Sequence, residues 1–293
     1  MEKSAEYIWY NGKFVKWQEA NTHVLNYGLH YGCGAFEGVR VYNGKAFSLR
    51  RHIERLRTSA KVCNIDITHT DDELIDATTQ LIAKNKLESG YIRPITWLGC
   101  KNLLLASPDA YTEIAIACWP SFYNQKVRPR LKLTIATYRK APNNAFPNSH
   151  KTTASYMVHS MIKKQAKSEG FDDALILDQD GYITEASTSN FFVITDSAVI
   201  TPSEGDFLPG ITRHKIIELC KQHNITIIER KINVDDLVKL KPVGAFITGT
   251  AIEMMEVQSI TTLAQQLEFK ETPTMYNKIL QLFQGITSNA SDN

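Results

Sequence analysis

Two charged residues, Lys151 and Glu185, stand in sequence surroundings that an ordinary hydrophobic core would not require. Lys151 follows the turn-rich segment 147–150 and precedes a predicted helix, whereas Glu185 ends a strand-like segment and begins a small polar loop. A lysine amine can bond to an aldehyde, and a carboxylate can keep a ring nitrogen protonated. The pair therefore indicates a site for a charged aromatic cofactor, although Lys151 judged on position alone would be one surface lysine among many.

Three further features could bind a phosphate group. The segment Pro209–Thr212 opens a predicted amphipathic helix, and the free amides and dipole of a helix N-terminus favour anions. The segment Gly249–Ala251 could add amides and a hydroxyl, and Arg55 could bind phosphate through two nitrogens. Each feature is ambiguous alone, since a Pro-Gly turn with a threonine cap or a basic solvated helix face would look the same.

Aromatic residues and glycines alternate in the segment Tyr27–Arg40, which contains Tyr31 and Phe36. Such a segment suits either a packed turn region or an apolar wall that approaches a ligand closely. Tyr91 and Arg93 are two residues apart in a predicted strand, so they share one face of it. A tyrosine and an arginine on one face could bind a carboxylate by hydrogen bonds.

Composition limits the class of protein. The 293 residues carry a net charge of +2, which gives no argument for nucleic acid or a membrane surface as a partner. The five cysteines are scattered, and no zinc-ligand spacing is present, so we expect reduced thiols and no metal site. The N-terminus lacks a signal-peptide pattern, and no apolar run reaches the ~18 residues of a membrane helix. The sequence therefore predicts a cytoplasmic protein.

The order of predicted elements indicates a mixed α+β fold in two domains. Hairpins at Asn11-Gly12 and Asn43-Gly44 are followed by two helices, of which the second begins with a capping box at Thr70. We predict an N-terminal domain at 1–122, a linker at 123–131 and a C-terminal domain at 132–293. The remaining predicted strands are 91–97, 113–119, 131–137, 174–177, 191–194, 225–228 and 245–247. The first of the two helices is predicted at 51–63, and the remaining predicted helices are 155–168, 212–223, 234–240 and 272–283.

In combination and order, these segments resemble the fold-type IV pyridoxal-phosphate enzymes of the class IV aminotransferase family. The similarity is greatest to the branched-chain amino acid aminotransferases and extends over nearly the whole chain. The segments that carry it are 7–12, 30–40, 91–94, Lys151, 181–185, 208–213 and 249–253.

The resemblance implies a smaller N-terminal α+β domain, a larger C-terminal pseudo-barrel domain, and pyridoxal 5'-phosphate between them. It implies Lys151 as the Schiff-base lysine and proton shuttle, Glu185 on the ring nitrogen, and Tyr156 on the ring hydroxyl. The phosphate would be bound by Arg55, Ile211, Thr212 and Thr250. The substrate would be bound by Tyr91, Arg93, Phe36, Tyr31, Thr250 and Ala251, with the region of Tyr123.

The implied reaction is ping-pong transamination between branched-chain L-amino acids (leucine, isoleucine, valine) and 2-oxoglutarate. The implied assembly is a homodimer or a higher homo-oligomer. One departure matters, because Ser189 stands where many branched-chain enzymes carry a glutamate, and this loop is also similar to that of D-amino acid aminotransferases. D-amino acid transamination, aminodeoxychorismate lyase activity and, more remotely, a non-catalytic cofactor-binding protein therefore stay open.

Overall fold

The structure, a computed structural model, describes residues 5–120, 128–203 and 205–288. Its contacts group the chain into two compact units. The first contains the described parts of Met1–Tyr123, His150–Tyr156 and Ile286–Asn293, and the second contains those of Asn124–Ser149 and Met157–Gly285. The domain boundaries at 122 and 132 stay a prediction, because residues 121–127, which include Tyr123 and much of the predicted linker, lie outside the described residues.

The first unit is built on an antiparallel sheet. Its elements are β1 (Tyr7–Tyr10), β2 (Lys13–Lys16), a 3-10 helix (Trp17–Glu19), α1 (Tyr27–Tyr31), β3 (Gly34–Phe36), β4 (Val39–Tyr42), β5 (Lys45–Ala46), α2 (Leu49–Val62), α3 (Asp71–Lys84), β6 (Gly90–Gly99) and β7 (Tyr111–Pro120). The strand order is β2-β1-β7-β6-β4-β5, and β3 also pairs with β6. Helices α2 and α3 bury one apolar face each in the core of this unit.

Local sequence explains several of these elements. The two Asn-Gly pairs take positive φ values, 47° and 85° at Asn11-Gly12 and 49° and 74° at Asn43-Gly44, and join the hairpins as predicted. Thr70 accepts a hydrogen bond from the Glu73 amide, and the Glu73 carboxylate accepts one from the Thr70 amide. The predicted hairpins and capping box are therefore confirmed.

The second unit is built on a mixed sheet. Its elements are β8 (Leu131–Ile135), α4 (Ser155–Ser168) from Met157 onward, β9 (Asp173–Leu177), β10 (Ile183–Ala186), β11 (Asn190–Ile194), β12 (Val199–Thr201), α5 (Ile211–Gln222), β13 (Ile227–Glu229), α6 (Val234–Lys239), β14 (Gly244–Gly249), β15 (Glu253–Thr261), β16 (Gln266–Glu268) and α7 (Thr274–Ser288) as far as Gly285. The strand order is β10-β9-β8-β15-β14-β11-β12-β13, with β16 paired to β15. Strands β9 and β11 are buried at every residue, which explains their continuous apolar sequences.

The mixed α+β fold is confirmed. The segment Tyr27–Arg40 contains α1 and β3 and is not a packed turn region, whereas its role as an apolar wall stays a prediction. Two local predictions are wrong. Glu185 does not end its strand but is the third residue of β10, because β10 continues its pairing with β9 through Glu185↔Ile176 and Ala186↔Leu175. The strand predicted from residue 225 begins at Ile227 instead.

In the described part of the chain, every helix is too short or too polar to cross a lipid bilayer.

Candidate functional site

Lys151 is fixed by backbone contacts within the first unit. Its amide donates to Ser59 Oγ at 2.9 Å, and its carbonyl accepts from the Phe36 amide at 3.1 Å. The next residue, Thr152, forms an isolated bridge with Ala35 of β3. The lysine thus stands on a short extended segment that is attached to both β3 and α2, and these attachments fix its backbone.

The amine of Lys151 lies between two aromatic rings. Nζ is 4.9 Å from the ring centroid of Phe36 and 4.7 Å from that of Tyr156, and it donates a hydrogen bond to the Tyr156 hydroxyl. The two rings meet edge to face with centroids 4.5 Å apart. The structure therefore brings three predicted site residues together, with a half-buried amine beside a phenol.

Arg55 belongs to a buried cluster of three charged or titratable groups. Its Nε and Nη2 donate to the two carboxylate oxygens of Glu37 at 2.7 and 2.9 Å, and His52 Nδ1 lies 2.6 Å from Glu37 Oε2. The Glu37 and His52 side chains are 0% and 1% exposed. Glu37 thereby fixes the orientation of Arg55, the arginine that we predict to bind phosphate.

The protonation states in this cluster follow from burial and charge. Burial alone would raise the pKa of Glu37, but Arg55 and His52 outweigh it and hold that pKa well below its usual range. Burial lowers the pKa of His52, against the opposing effect of Glu37. The cluster is therefore an ionised Glu37–Arg55 pair with a neutral His52 that donates its Nδ1 proton to the carboxylate.

Tyr91 and Arg93 share one face of β6, as predicted. The Arg93 guanidinium carbon lies 4.6 Å from the Phe36 ring centroid and 5.5 Å from that of Tyr91. It also lies 6.0 Å from the ring of Trp119 on β7, a residue that sequence analysis missed. Arg93 is therefore a cation set among aromatic rings.

Tyr31 lies on α1 and is 42% exposed. Its hydroxyl donates to the Leu103 carbonyl at 2.9 Å, and its ring packs edge-on to that of Tyr27 with centroids 5.3 Å apart. These contacts attach Tyr31 to the loop that follows β6.

In the second unit, Glu185 is a buried carboxylate with a buried lysine as its partner. Its side chain is 5% exposed, and Oε1 lies 2.7 Å from Nζ of Lys140, which is itself 6% exposed. Sequence analysis missed Lys140, because the run Tyr138-Arg139-Lys140 has the composition of a solvated loop. The nearby polar residues Ser187 and Ser189 are also buried.

The predicted anion site at α5 has the required local geometry. Gly210 precedes the helix, and a Cβ there would overlap Oδ1 of Asn190, so the close approach of this turn requires glycine. The Asn190 amide group donates to the Leu208 carbonyl at 3.0 Å and fixes the turn. Ile211 and Thr212, both buried, are the first two residues of the helix, and amides in this position have no acceptor within the helix.

Thr250 and Ala251 lie in the turn between β14 and β15. Glu253, which follows the turn, has a φ of 58°, and its carboxylate accepts a hydrogen bond from Arg128 Nη2. Nη1 of the same arginine donates to the Met254 carbonyl at 2.8 Å. Arg128 thereby stabilises a left-handed backbone conformation that a non-glycine residue rarely adopts.

Comparisons with known proteins show the family and the fold of this chain. The profile of the amino-transferase class IV family matches residues 34–260. A probable branched-chain-amino-acid aminotransferase of Rickettsia bellii is 39% identical over 259 residues, which is 88% of this chain and 89% of the relative. The structure of the branched-chain amino acid aminotransferase from Escherichia coli has a TM-score of 0.89 at 30% identity and covers 99% of this chain and 96% of its own.

A second solved structure bears on the cofactor. It is a T.th. branched-chain amino acid aminotransferase complexed with N-(5'-phosphopyridoxyl)-L-glutamate, with a TM-score of 0.90 at 30% identity over 97% of this chain and 95% of its own. These likenesses confirm the predicted resemblance and fold class. The chain belongs to the class IV amino-transferase family.

Proposed function

We propose that this enzyme transfers the amino group of branched-chain L-amino acids to 2-oxoglutarate in a ping-pong reaction that uses pyridoxal 5'-phosphate. The observation that carries the proposal is the fixed amine of Lys151 beside the Tyr156 hydroxyl and the Phe36 ring. The names of the relatives support the choice of substrate, and the phosphopyridoxyl compound in the T.th. structure supports the choice of cofactor.

The residues present fit this cofactor. It has an aldehyde, a ring hydroxyl, a ring nitrogen and a phosphate, and the chain offers a matching group for each. Lys151 would form the Schiff base, Tyr156 would bind the hydroxyl, and Glu185 would bind the ring nitrogen. Arg55, the amides of Ile211 and Thr212, and Thr250 would bind the phosphate. The orphan hydroxyl of Thr248 supports this fit, since Oγ1 is buried without a hydrogen-bond partner among the described residues.

When bound, the cofactor supplies an electron sink that stabilises negative charge at the substrate Cα. The protein supplies the proton transfer. Nζ of Lys151 would remove the proton from the substrate Cα and deliver it to the C4′ carbon of the cofactor. The Tyr156 hydroxyl holds Nζ in place, and the Glu185 carboxylate would bind the ring nitrogen. A positioned acid–base group contributes a factor of about 10²–10⁴ in rate.

One set of residues would bind both amino acid and 2-oxo acid. Tyr91 and the amides of Thr250 and Ala251 would bind the α-carboxylate, and Phe36 and Tyr31 would contact an apolar side chain. Arg93 would bind the distal carboxylate of 2-oxoglutarate. Its Nε is buried and has no hydrogen-bond partner within the described ranges, and its guanidinium lies against the Phe36 ring.

The backbone of Gly38 lies so close to the Tyr91 hydroxyl that a substitution at Gly38 tests the role of Tyr91. A Cβ on Gly38 would overlap the Tyr91 hydroxyl and lie 2.5 Å from its Cζ. We expect Gly38→Ala to displace this hydroxyl and lower kcat/KM for the amino acid by roughly ten- to a hundredfold. Steady-state kinetics will measure this effect. Gly285→Ala is the matched control, because a Cβ on Gly285 would meet no atom within 4 Å. Unchanged kinetics in Gly38→Ala would contradict the role of Tyr91.

Transamination of D-amino acids is the second candidate. Ser189 is buried, and its Oγ would lie 3.4 Å from a Cβ built on Gly249, next to the turn that would bind the carboxylate. A serine stands there where many branched-chain enzymes have a glutamate, and this difference is the observation that supports D-amino acids as the second candidate. Aminodeoxychorismate lyase activity is the third candidate, and it would appear as lyase product without amino-group exchange.

The experiment compares L-leucine and D-alanine as amino donors with 2-oxoglutarate. We expect glutamate to form with L-leucine at a rate at least about tenfold above that with D-alanine, since a misplaced reacting group loses about this much or more. Borohydride reduction followed by peptide mapping should place the cofactor on Lys151. A faster reaction with D-alanine would contradict the proposed substrate, and bound cofactor without any exchange would indicate a non-catalytic binding protein.

We also propose that the enzyme acts in the cytoplasm as a homodimer or a higher homo-oligomer. All five cysteines are free thiols, which supports a reducing compartment. Leu29, Leu104 and Leu105 in the first unit are 68%, 71% and 75% exposed, which supports an apolar contact between copies. Light scattering of the purified protein tests the assembly.

A further inference from the structure

A buried lysine in the second unit touches the carboxylate that we assign to the ring nitrogen. Nζ of Lys140 lies 2.7 Å from Glu185 Oε1 and 2.9 Å from Nε2 of His159. We propose that Lys140 is a positioning residue, which holds the Glu185 carboxylate in the orientation that would bind the ring nitrogen, while His159 holds the lysine. This inference rests on the proposed function, since it gives Glu185 the ring nitrogen as its ligand.

Donor and acceptor chemistry fixes the role of His159. A lysine ammonium has three donors and no acceptor, and an ionised carboxylate only accepts. Nε2 of His159 therefore accepts a hydrogen bond from Lys140. Lys140 is held between this nitrogen and Glu185 Oε1, and of these two neighbours only the carboxylate can carry a compensating negative charge.

Backbone contacts hold Lys140 and Glu185 to the same strand. The Lys140 amide donates to the Leu177 carbonyl of β9 at 2.8 Å, and its carbonyl accepts from Gln179 Nε2 at 2.7 Å. Glu185 pairs with Ile176 of the same β9. Because both residues are attached to one buried strand, the distance between ammonium and carboxylate is set by the sheet.

Energetics favour a functional reason for this pair. Removing an ammonium and a carboxylate from water has a large free-energy cost, and apolar residues of similar volume often stabilise a core equally well. Removing the lysine alone would leave the Glu185 carboxylate buried without its counter-ion, which is strongly unfavourable. We therefore assign the pair the role of holding Glu185 where it would bind the ring nitrogen.

A double-mutant cycle tests the inference. Lys140→Met removes the charge at similar volume, Lys140→Arg restores it, and Glu185→Gln removes the carboxylate. We expect Lys140→Met to lower kcat and to weaken cofactor retention by about tenfold each, with KM for L-leucine changed less than about twofold. Cofactor retention is read from its visible absorbance after gel filtration, independently of turnover. Lys140→Arg should recover most of both losses.

The energetic coupling between Lys140 and Glu185 decides whether the positioning role is correct. In the Glu185→Gln background, we expect Lys140→Met to have no further effect on cofactor retention or kcat. Lys163→Met is the matched control, because Lys163 pairs with the buried Asp173 at 2.6 Å in the same unit. It should lower thermal stability without changing the absorbance of the bound cofactor.

Two failures can be distinguished. The positioning role alone would be overturned if Lys140→Met lowered kcat and cofactor retention equally in the wild-type and Glu185→Gln backgrounds. It would also be overturned if Lys140→Arg recovered neither quantity. Wild-type protein that binds no pyridoxal phosphate would overturn the proposed function and this inference with it. If Lys140→Met does not fold, Lys140→Gln, which removes the charge but keeps a polar side chain, is compared with wild type in both backgrounds and measures the same coupling.

Discussion

Replacement of Lys151 by alanine is expected to abolish steady turnover, with kcat lower by at least about 10²–10⁴. The change removes the amine that would bind the cofactor and carry the proton between Cα and C4′. The side chains of Phe36 and Tyr156, which flank the amine, cannot replace it, because neither of them contains an amine. Amino-acid-dependent formation of glutamate measures the loss.

The Lys151→Ala measurement needs a lysine control and a rescue. Lys163→Ala removes a partly exposed lysine that pairs with Asp173, and it should retain wild-type turnover. A small primary amine added to Lys151→Ala should restore part of the rate, since it can replace the missing proton acceptor. Steady turnover in Lys151→Ala without added amine would show that the assignment of the catalytic lysine is wrong.

Elements with strong local signals could be predicted from sequence. Both hairpins depend on an Asn-Gly pair, and α3 depends on its capping box, so a few neighbouring residues decide them. The short helix α1 could not be predicted, because glycines at 28 and 32 disfavour a helix. It forms because the Asn26 side chain caps the Leu29 amide at 2.7 Å and Gly32 ends it with a φ of 66°.

The position of Glu185 shows a second limit. Its small polar neighbours Ser187 and Ser189 indicate a loop, yet Glu185 lies inside β10 because β9 pairs with it. A partner strand supplies this information, and a local pattern does not contain it. The chemical type of a group is easier to predict than its place in an element, since the side chain is read directly from the sequence.

Three of the missed residues share one property, which is that each fixes the orientation of a neighbouring charged group. Glu37 holds Arg55, Lys140 holds Glu185, and Arg128 holds Glu253 after the predicted carboxylate-binding turn. Such partners come from distant parts of the chain and have no spacing rule. Sequence analysis therefore predicted groups that would touch the cofactor, a prediction that stays open, and missed the buried groups that fix them.

Glu37→Gln is expected to destabilise the folded state strongly. It leaves the Arg55 guanidinium beside a neutral amide in a place where Glu37 is fully buried, and removal of one partner from a buried ion pair costs about 3–5 kcal/mol. Denaturant unfolding at pH 7 measures the loss as a lower midpoint at unchanged slope. Glu73→Gln is the control, because this exposed residue of a capping box can be replaced by glutamine.

The difference between wild type and Glu37→Gln should depend on pH. The pKa of Glu37 is held below its usual range in the folded state, whereas an unfolded glutamate titrates at about 4.3. Its contribution to stability is therefore complete above about pH 4.3 and is lost as pH falls toward the folded pKa. The lowered pKa of His52 adds an acid-induced loss below about pH 6.5 in both proteins. The unfolding free energies of wild type and Glu37→Gln should thus converge as the pH falls below about 4.3. A difference between them that stays constant down to about pH 3 would show that Glu37 acts through packing and not through its charge.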